Sequence, residues 1–155
     1  MLSHEQISIT TGDGECPAYV CTPGTGKKAP AIVMYMDAAG IRPALISMAE
    51  RLSGAGYVVL LPDLFYRFGP YGPFDPREVF KEDFRAILGP LFAATGNAKA
   101  AADTEAFLAY LDTRTALMAR RWARLVSAWG AAWRLRQRAL GQIDSPPSRA
   151  FTAVI

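Results

Sequence analysis

The chain is poor in the groups that most often do chemistry. Its 155 residues include one histidine, His4, and two cysteines, Cys16 and Cys21. His4 precedes the first extended segment, where a frayed, solvated ring is expected and not a general base. The cysteines stand five apart, on opposite faces of an extended segment, so a disulfide between them is not expected. With no histidines clustered near them they make a poor metal site, and packing thiols in a reducing compartment are the expectation. A Gly-x-Ser-x-Gly or Gly-x-Cys-x-Gly elbow, whose small flanking residues allow the sharp strand-to-helix turn that lifts a nucleophile out, does not occur. Ser53, in "RLSGAG", falls at a helix end instead. Gly26-Lys27 lacks both the earlier glycine and the following Ser or Thr of a phosphate-cradling loop. No apolar run approaches the ~20 residues that cross a bilayer. The N-terminus has no basic and then apolar leader, so a cytoplasmic protein is expected.

Acidic residues are scarce in one region only. Residues 1–114 carry 10 Lys+Arg and 13 Asp+Glu, net −3, whereas residues 115–155 carry 7 and 1, net +6. The basic pI of about 9.0 therefore arises in the tail. Within it, "ARRWARLVSAWGAAWRLRQR" holds all three tryptophans, six arginines and no acid. Taken over the whole chain, the composition, 51% hydrophobic and 20% charged, is that of one globular domain.

What is present up to Arg114 is mutually consistent. "QISITTGDGECPAYVCTP" alternates, breaks at Gly12-Asp13-Gly14 and resumes, which predicts an N-terminal hairpin. "GTGKK" is a loop. The continuous apolar run 31–36 predicts a strand buried on both faces, ending at Asp37 and Gly40. Ala44, Leu45, Met48, Ala49 and Leu52 follow at helical spacing, with Gly54 or Gly56 as the stop. "YVVLLPD" is a second buried strand, so strand, helix, strand imply a parallel sheet in an α/β fold. The aromatic loop 64–76 comes next, then a helix expected to break at Gly89-Pro90, then an amphipathic helix to Arg114.

Asp37 and Asp63 both fall where a strand meets the loop at its carboxyl end, the edge where ligands bind in open α/β sheets. Either could instead cap the turn that follows. Arg67 could meet a substrate carboxylate with its two-pronged guanidinium, or simply lie over an aromatic face.

The order of "GDGECPAYVCTP", "AIVMYMDAAG", "MAERLSGAGYVVLLPDLFYR" and "FDPREVF" resembles the N-terminal half of the dienelactone hydrolase family, within the α/β-hydrolase superfamily, over residues 1–114. The resemblance implies a partial α/β-hydrolase sheet, hairpin plus parallel βαβ, with flanking helices. It also implies hydrolysis of simple carboxylic esters or lactones, small-molecule substrates, by a Cys-His-Asp triad with no metal and no other cofactor. Asp37 of "DAAG" matches the place of the family's Glu that contacts the nucleophile region, with a shorter side chain. The backbone N–H of Ala38 would be one oxyanion-hole donor, meeting charge that develops only in the transition state. The family's nucleophile, triad Asp and His come later, and residues 115–155 carry no counterpart. Since the missing nucleophile strand is central in that architecture, its loss would leave the strand near Ile32 to Met36 with an unpaired edge. The chain is then expected to be inactive or incomplete.

The tail supports two readings. As protein, 115–140 could be a basic amphipathic helix, which would make the chain a non-catalytic binder of nucleic acid or membrane. Alternatively, its codons are read out of frame. With permitted wobble bases, Leu-Val-Ser-Ala-Trp-Gly-Ala-Ala-Trp becomes Gly-Phe-Cys-Met-Gly-Gly-Gly-Met one frame over, an elbow of the family's type. The same shift turns "GQID" into Pro-Asp-Arg and "SRAFTAV" into Ala-Ser-Phe-His-Gly-Gly, in the order a hydrolase requires. The frame would be lost between Asp112 and Arg121. On that reading the tail's charge says nothing of partners, and neither nucleic acid nor membrane binding is expected.

Overall fold

The computed structural model describes residues 3–24, 29–72, 74–79, 83–115, 122–126 and 151–154. A hairpin opens the chain: β1 (Ser3–Thr11) pairs antiparallel with β2 (Gly14–Thr22), with Thr11 opposite Gly14 across a two-residue Gly12-Asp13 loop. β3 (Ala31–Met34) and β4 (Val58–Pro62) are parallel neighbours joined by α1 (Pro43–Gly54). β2 pairs antiparallel with the other side of β4. The predicted hairpin and βαβ unit are both present. Of the loop expected at 24–28, residues 25–28 lie outside the described residues.

Continuous apolar runs make β3 and β4 buried on both faces: every residue of each strand is buried. α1 covers one face with Leu45 and Ala49, and the long helical segment α3 (Phe84–Thr115) covers the other with Phe107 and Leu111. The hairpin cysteines report the two faces. The charge of Asp103, on α3, is felt at Cys16, and that of Glu50, on α1, at Cys21. Both thiols are free and buried. Burial, with those carboxylates, pushes Cys16 up to about 12 and Cys21 up to about 11, so neither is poised as a thiolate nucleophile.

Two expectations about the helices change. A short helix, α2 (Pro76–Val79), stands apart from α3, and residues 80–82 between them lie outside the described residues. α3 runs through Gly89-Pro90 without a break and kinks instead at Gly96, whose φ of 60° with ψ of 155° is non-helical. Proline removes one N–H near the first turns, a local loss, whereas a left-handed φ turns the chain and is easy only for glycine.

The tail brings the larger correction. Trp122–Val126 forms β5, paired parallel to β3, and Phe151–Val154 forms β6, paired parallel to β5. A strand thus replaces the expected helix at 122–126, while 116–121 and 127–140, the rest of that expected helix, lie outside the described residues. The sheet order is β1-β2-β4-β3-β5-β6, so the edge of β3 expected to be bare is paired. Its unsatisfied N–H and C=O groups are a template for any extended segment, and "WARLV" is short and strand-compatible enough to take it.

Candidate active site

From β3 the chain crosses through α1 to β4 on one side, and β5, reached through α3, lies on the other. The order of strands reverses at β3, and the crevice outside the carboxyl ends of β3 and β5 is the switch point at which open parallel sheets bind ligands. The turn 37–41 sits there, directly after β3.

Asp37 organises that turn. Its backbone carbonyl accepts from Gly40 N–H at 3.1 Å, and its Oδ1 accepts from Ala39 N–H at 3.0 Å. Arg42, immediately before Pro43 of α1, grips the carboxylate two-pronged, Nη1 to Oδ1 and Nη2 to Oδ2, each at 2.6 Å, and Nη1 also donates to Gly40 O at 3.2 Å. Burial pushes the Asp37 carboxyl up, but the hydrogen bonds from Arg42 and Ala39 and the charge of Arg42 outweigh it, and the net direction is down. Asp37 is therefore an ionised turn-former. The Arg42 contact was not foreseen from sequence; an arginine five residues after an acid, across a turn and ahead of a helix-opening proline, was the available signal.

Ala38 lies within this turn. Its backbone is held by the bonds at Asp37, Gly40 and Arg42 on either side of it.

Asp63 behaves as a cap. It closes β4, donates its own N–H to Pro17 O at 2.8 Å, and its Oδ1 accepts from Phe65 N–H at 3.0 Å and from the Tyr71 hydroxyl at 2.8 Å. Burial raises its carboxyl above the usual range, the two hydrogen bonds opposing. Tyr71 is pushed up in turn, by burial and by the Asp63 charge, and stays a neutral donor.

Arg67 is held by two carboxylates of the chain itself. Its Nη1 and Nη2 donate to Asp103 at 2.8 and 2.7 Å, its Nε donates to Asp13 at 2.7 Å, and its guanidinium lies 4.5 Å from the centre of the Tyr66 ring. The Arg67 and Asp103 side chains are 8% and 2% exposed, so the pair is an internal anchor tying the hairpin turn and aromatic loop to α3. Asp103 stands on a helix 36 residues later, so the sequence gave no local hint of the contact.

His4 is not frayed: it lies in β1, with Nδ1 2.8 Å from Glu50 Oε1 and its ring near Tyr19. It is remote in the fold from the turn 37–41, at the opposite end of the hairpin from the Gly12-Asp13 loop. An open groove of about 340 Å³ runs beside the site, bordered by Ile41, Asp63 and Tyr71 together with Glu15, Tyr19 and Tyr66. Neither Asp37, Ala38 nor Arg67 lines it. No group of three or more metal-binding side chains, and no helix long and apolar enough to cross a membrane, occurs among the described residues.

Comparison with known proteins agrees with this geometry. The model of the dienelactone hydrolase family matches residues 16–123. A carboxymethylenebutenolidase of Pseudomonas sp. (strain P51) is 32% identical over 75 residues, which is 48% of this chain and 31% of that protein. A candidate carboxymethylenebutenolidase of Azospirillum brasilense is 34% identical over 65 residues, 41% of this chain and 28% of that one. A solved structure from Klebsiella pneumoniae, described as a candidate dienelactone hydrolase, superposes with a TM-score of 0.66 at 22% identity, covering 83% of this chain and 51% of its own. The chain thus spans about a third of the length of the curated relatives and half that of the structural one.

Proposed function

Because the chain belongs to the dienelactone hydrolase family, we propose that its site is the oxyanion side of a carboxylic-ester or lactone hydrolase and that these 155 residues do not themselves complete the reaction. The observation that carries this reading is the turn 37–41 at the switch point between β3 and β5. An ester carbonyl held there would place its oxygen toward the Ala38 N–H, a dipole fixed before the reaction and therefore worth more in the transition state than in water. Asp37, in the place of the family's Glu, keeps its carboxylate on Arg42 and so shapes the turn. Arg67 belongs to the scaffold on this reading.

Attack on that carbonyl needs a nucleophile and a base in hydrogen-bond reach of each other. Cys16 and Cys21 are buried packing thiols, and His4 is engaged with Glu50 on β1. The absence of an elbow pentapeptide removes the remaining route. The tail's shifted reading would supply what is missing: β5 ends at Val126, and codons permitted for residues 125–133 can spell a Gly-x-Cys-x-Gly-Gly elbow one frame over. The residues after about 115 are then an out-of-frame translation of the catalytic half.

Turnover of p-nitrophenyl acetate and of a dienelactone by the purified chain tests the proposal. The expected rate equals that of buffer. A rate above buffer that survives repurification and disappears with a substitution in this chain would refute it.

A further inference from the structure

Ala38 can serve as a donor only if the turn that carries it is rigid, and one aromatic side chain from the neighbouring loop holds the far end of that turn. Asp37, at the near end, is held by Arg42. At the far end, the Tyr71 hydroxyl accepts from Ile41 N–H at 3.4 Å while donating to Asp63 Oδ1 at 2.8 Å. Asp63 is itself fixed to the sheet through Pro17 and to its own loop through Phe65 N–H. A path of hydrogen bonds therefore runs from β2 and β4 through Asp63 and Tyr71 to the turn.

Packing strengthens the hold. The Tyr71 ring meets Phe65 edge-on at 5.2 Å and lies nearly parallel to Phe74 at 5.9 Å. Its other neighbour is Gly40, at a φ of +77°, where a Cβ would stand only 2.5 Å from Tyr71 Cε2. Gly40 is thus required twice, for its left-handed backbone and for the close approach of the ring.

We propose that Tyr71 is a positioning residue, fixing the turn 37–41 and through it the Ala38 N–H, without itself touching substrate. Only the purpose assigned to the Ala38 amide rests on the hydrolase reading; the clamp can be tested whether or not that reading holds.

The test is amide exchange and chemical shift measured by NMR on the full chain and on Tyr71→Phe, which keeps the ring and removes the hydroxyl. Expected is exchange about tenfold faster at Ala38 and Ile41, with Val59 and Leu60 in β4 unchanged, as for loss of one local hydrogen bond. A second readout separates positioning from space-filling. The Ile41 amide shift should follow the titration of Asp63, relayed by the hydroxyl, and both Tyr71→Phe and Asp63→Asn should abolish that step. Asp63 also faces Cys16 from β2, and Tyr66 and Glu15 border the same groove, so the Asp63→Asn chain assigns the step. Should Tyr71→Phe lower global stability enough that every amide exchanges by unfolding, the original chain still shows the Ile41 step and the Asp63→Asn chain its loss, and a step that persists in Asp63→Asn overturns the relay. Unchanged exchange in Tyr71→Phe, or an Ile41 step that persists in it, overturns the proposal and leaves Tyr71 a packing residue. Ester turnover by the chain would sink the proposed function while leaving this result untouched.

Discussion

Residues 1–114 and 115–155 contribute to one sheet by different means. In the first, β3 and β4 are buried throughout, two helices seal opposite faces, and ion pairs such as Arg67–Asp103 and Asp37–Arg42 lock the loops to the helices. In the second, β5 and β6 extend the ladder from β3 with parallel pairing. Side-chain burial and charge pairing depend on sequence, whereas a ladder of N–H and C=O groups is the same for any extended segment. A strand can therefore stand beside β3, where the family's nucleophile strand is expected, and carry none of the catalytic groups. Position in the fold and catalytic content are separable here.

Substitutions in the first region should expose this dependence on specific side chains. The largest effect is expected for Asp103→Ala, which leaves the buried Arg67 guanidinium with only the exposed Asp13 carboxylate; loss of about 3 kcal/mol of unfolding free energy is predicted in urea titration. Arg67→Met should cost a similar amount by stranding Asp103, and a loss below about 1 kcal/mol in both would show the anchor to be solvated.

Acid should act next, through two carboxylates of opposite sign. Asp37 is depressed in the folded chain, so its contribution is present above the ordinary carboxylate range and disappears as pH falls through its lowered value. Asp63 is raised, so it weakens the fold above its raised value, and acidification through that value relieves the cost. Asp37→Asn should flatten the acid limb of the stability curve. Asp63→Asn should raise stability near neutral pH while keeping an acceptor for Tyr71. The reverse pattern in pH-dependent melts would contradict the assignment.

A smaller gain is expected at Ser53. Its hydroxyl is buried in α1, 1% exposed, and has no hydrogen-bond partner among the described residues. Ser53→Ala removes the unsatisfied group and favours the helix, so a stabilisation of up to about 1 kcal/mol is predicted by thermal melting. No effect at all is expected from thiol reagents on the native fold: Cys16 and Cys21 should resist alkylation until denaturant exposes them, and rapid modification of the native chain would show that one of them is reachable.

Much of the first region was legible. Period-two alternation around Gly12-Asp13 marked the hairpin, and the apolar runs at 31 and 57 marked strands that are buried on both faces. The helix-breaking site was misplaced because Gly89-Pro90 is a strong local signal, while the real kink rests on a single positive φ at Gly96 that no neighbouring proline announces. At the site, the turn at Asp37 and the cap at Asp63 followed from strand ends. Tyr71 over Gly40 did not, since the two stand 31 residues apart in sequence and the contact's only trace there is a glycine whose reason lies elsewhere in the chain. The Arg67 ion pair was hidden for the same reason: its partner Asp103 is remote. The strand at Trp122–Val126 was hidden because arginines at helical spacing outweigh a five-residue segment whose pairing is set by the free edge of β3.

The central claim is that a family-type first region is followed by a tail lying in the wrong reading frame. Sequencing the coding DNA across codons 112–133 tests it most directly. Expected are a one-base displacement between codons 112 and 121, and downstream bases that spell Gly-Phe-Cys-Met-Gly-Gly or a close variant in the alternative frame. A verified continuous frame, with codons for residues 125–133 that encode no Gly-x-Cys-x-Gly when shifted, would contradict it.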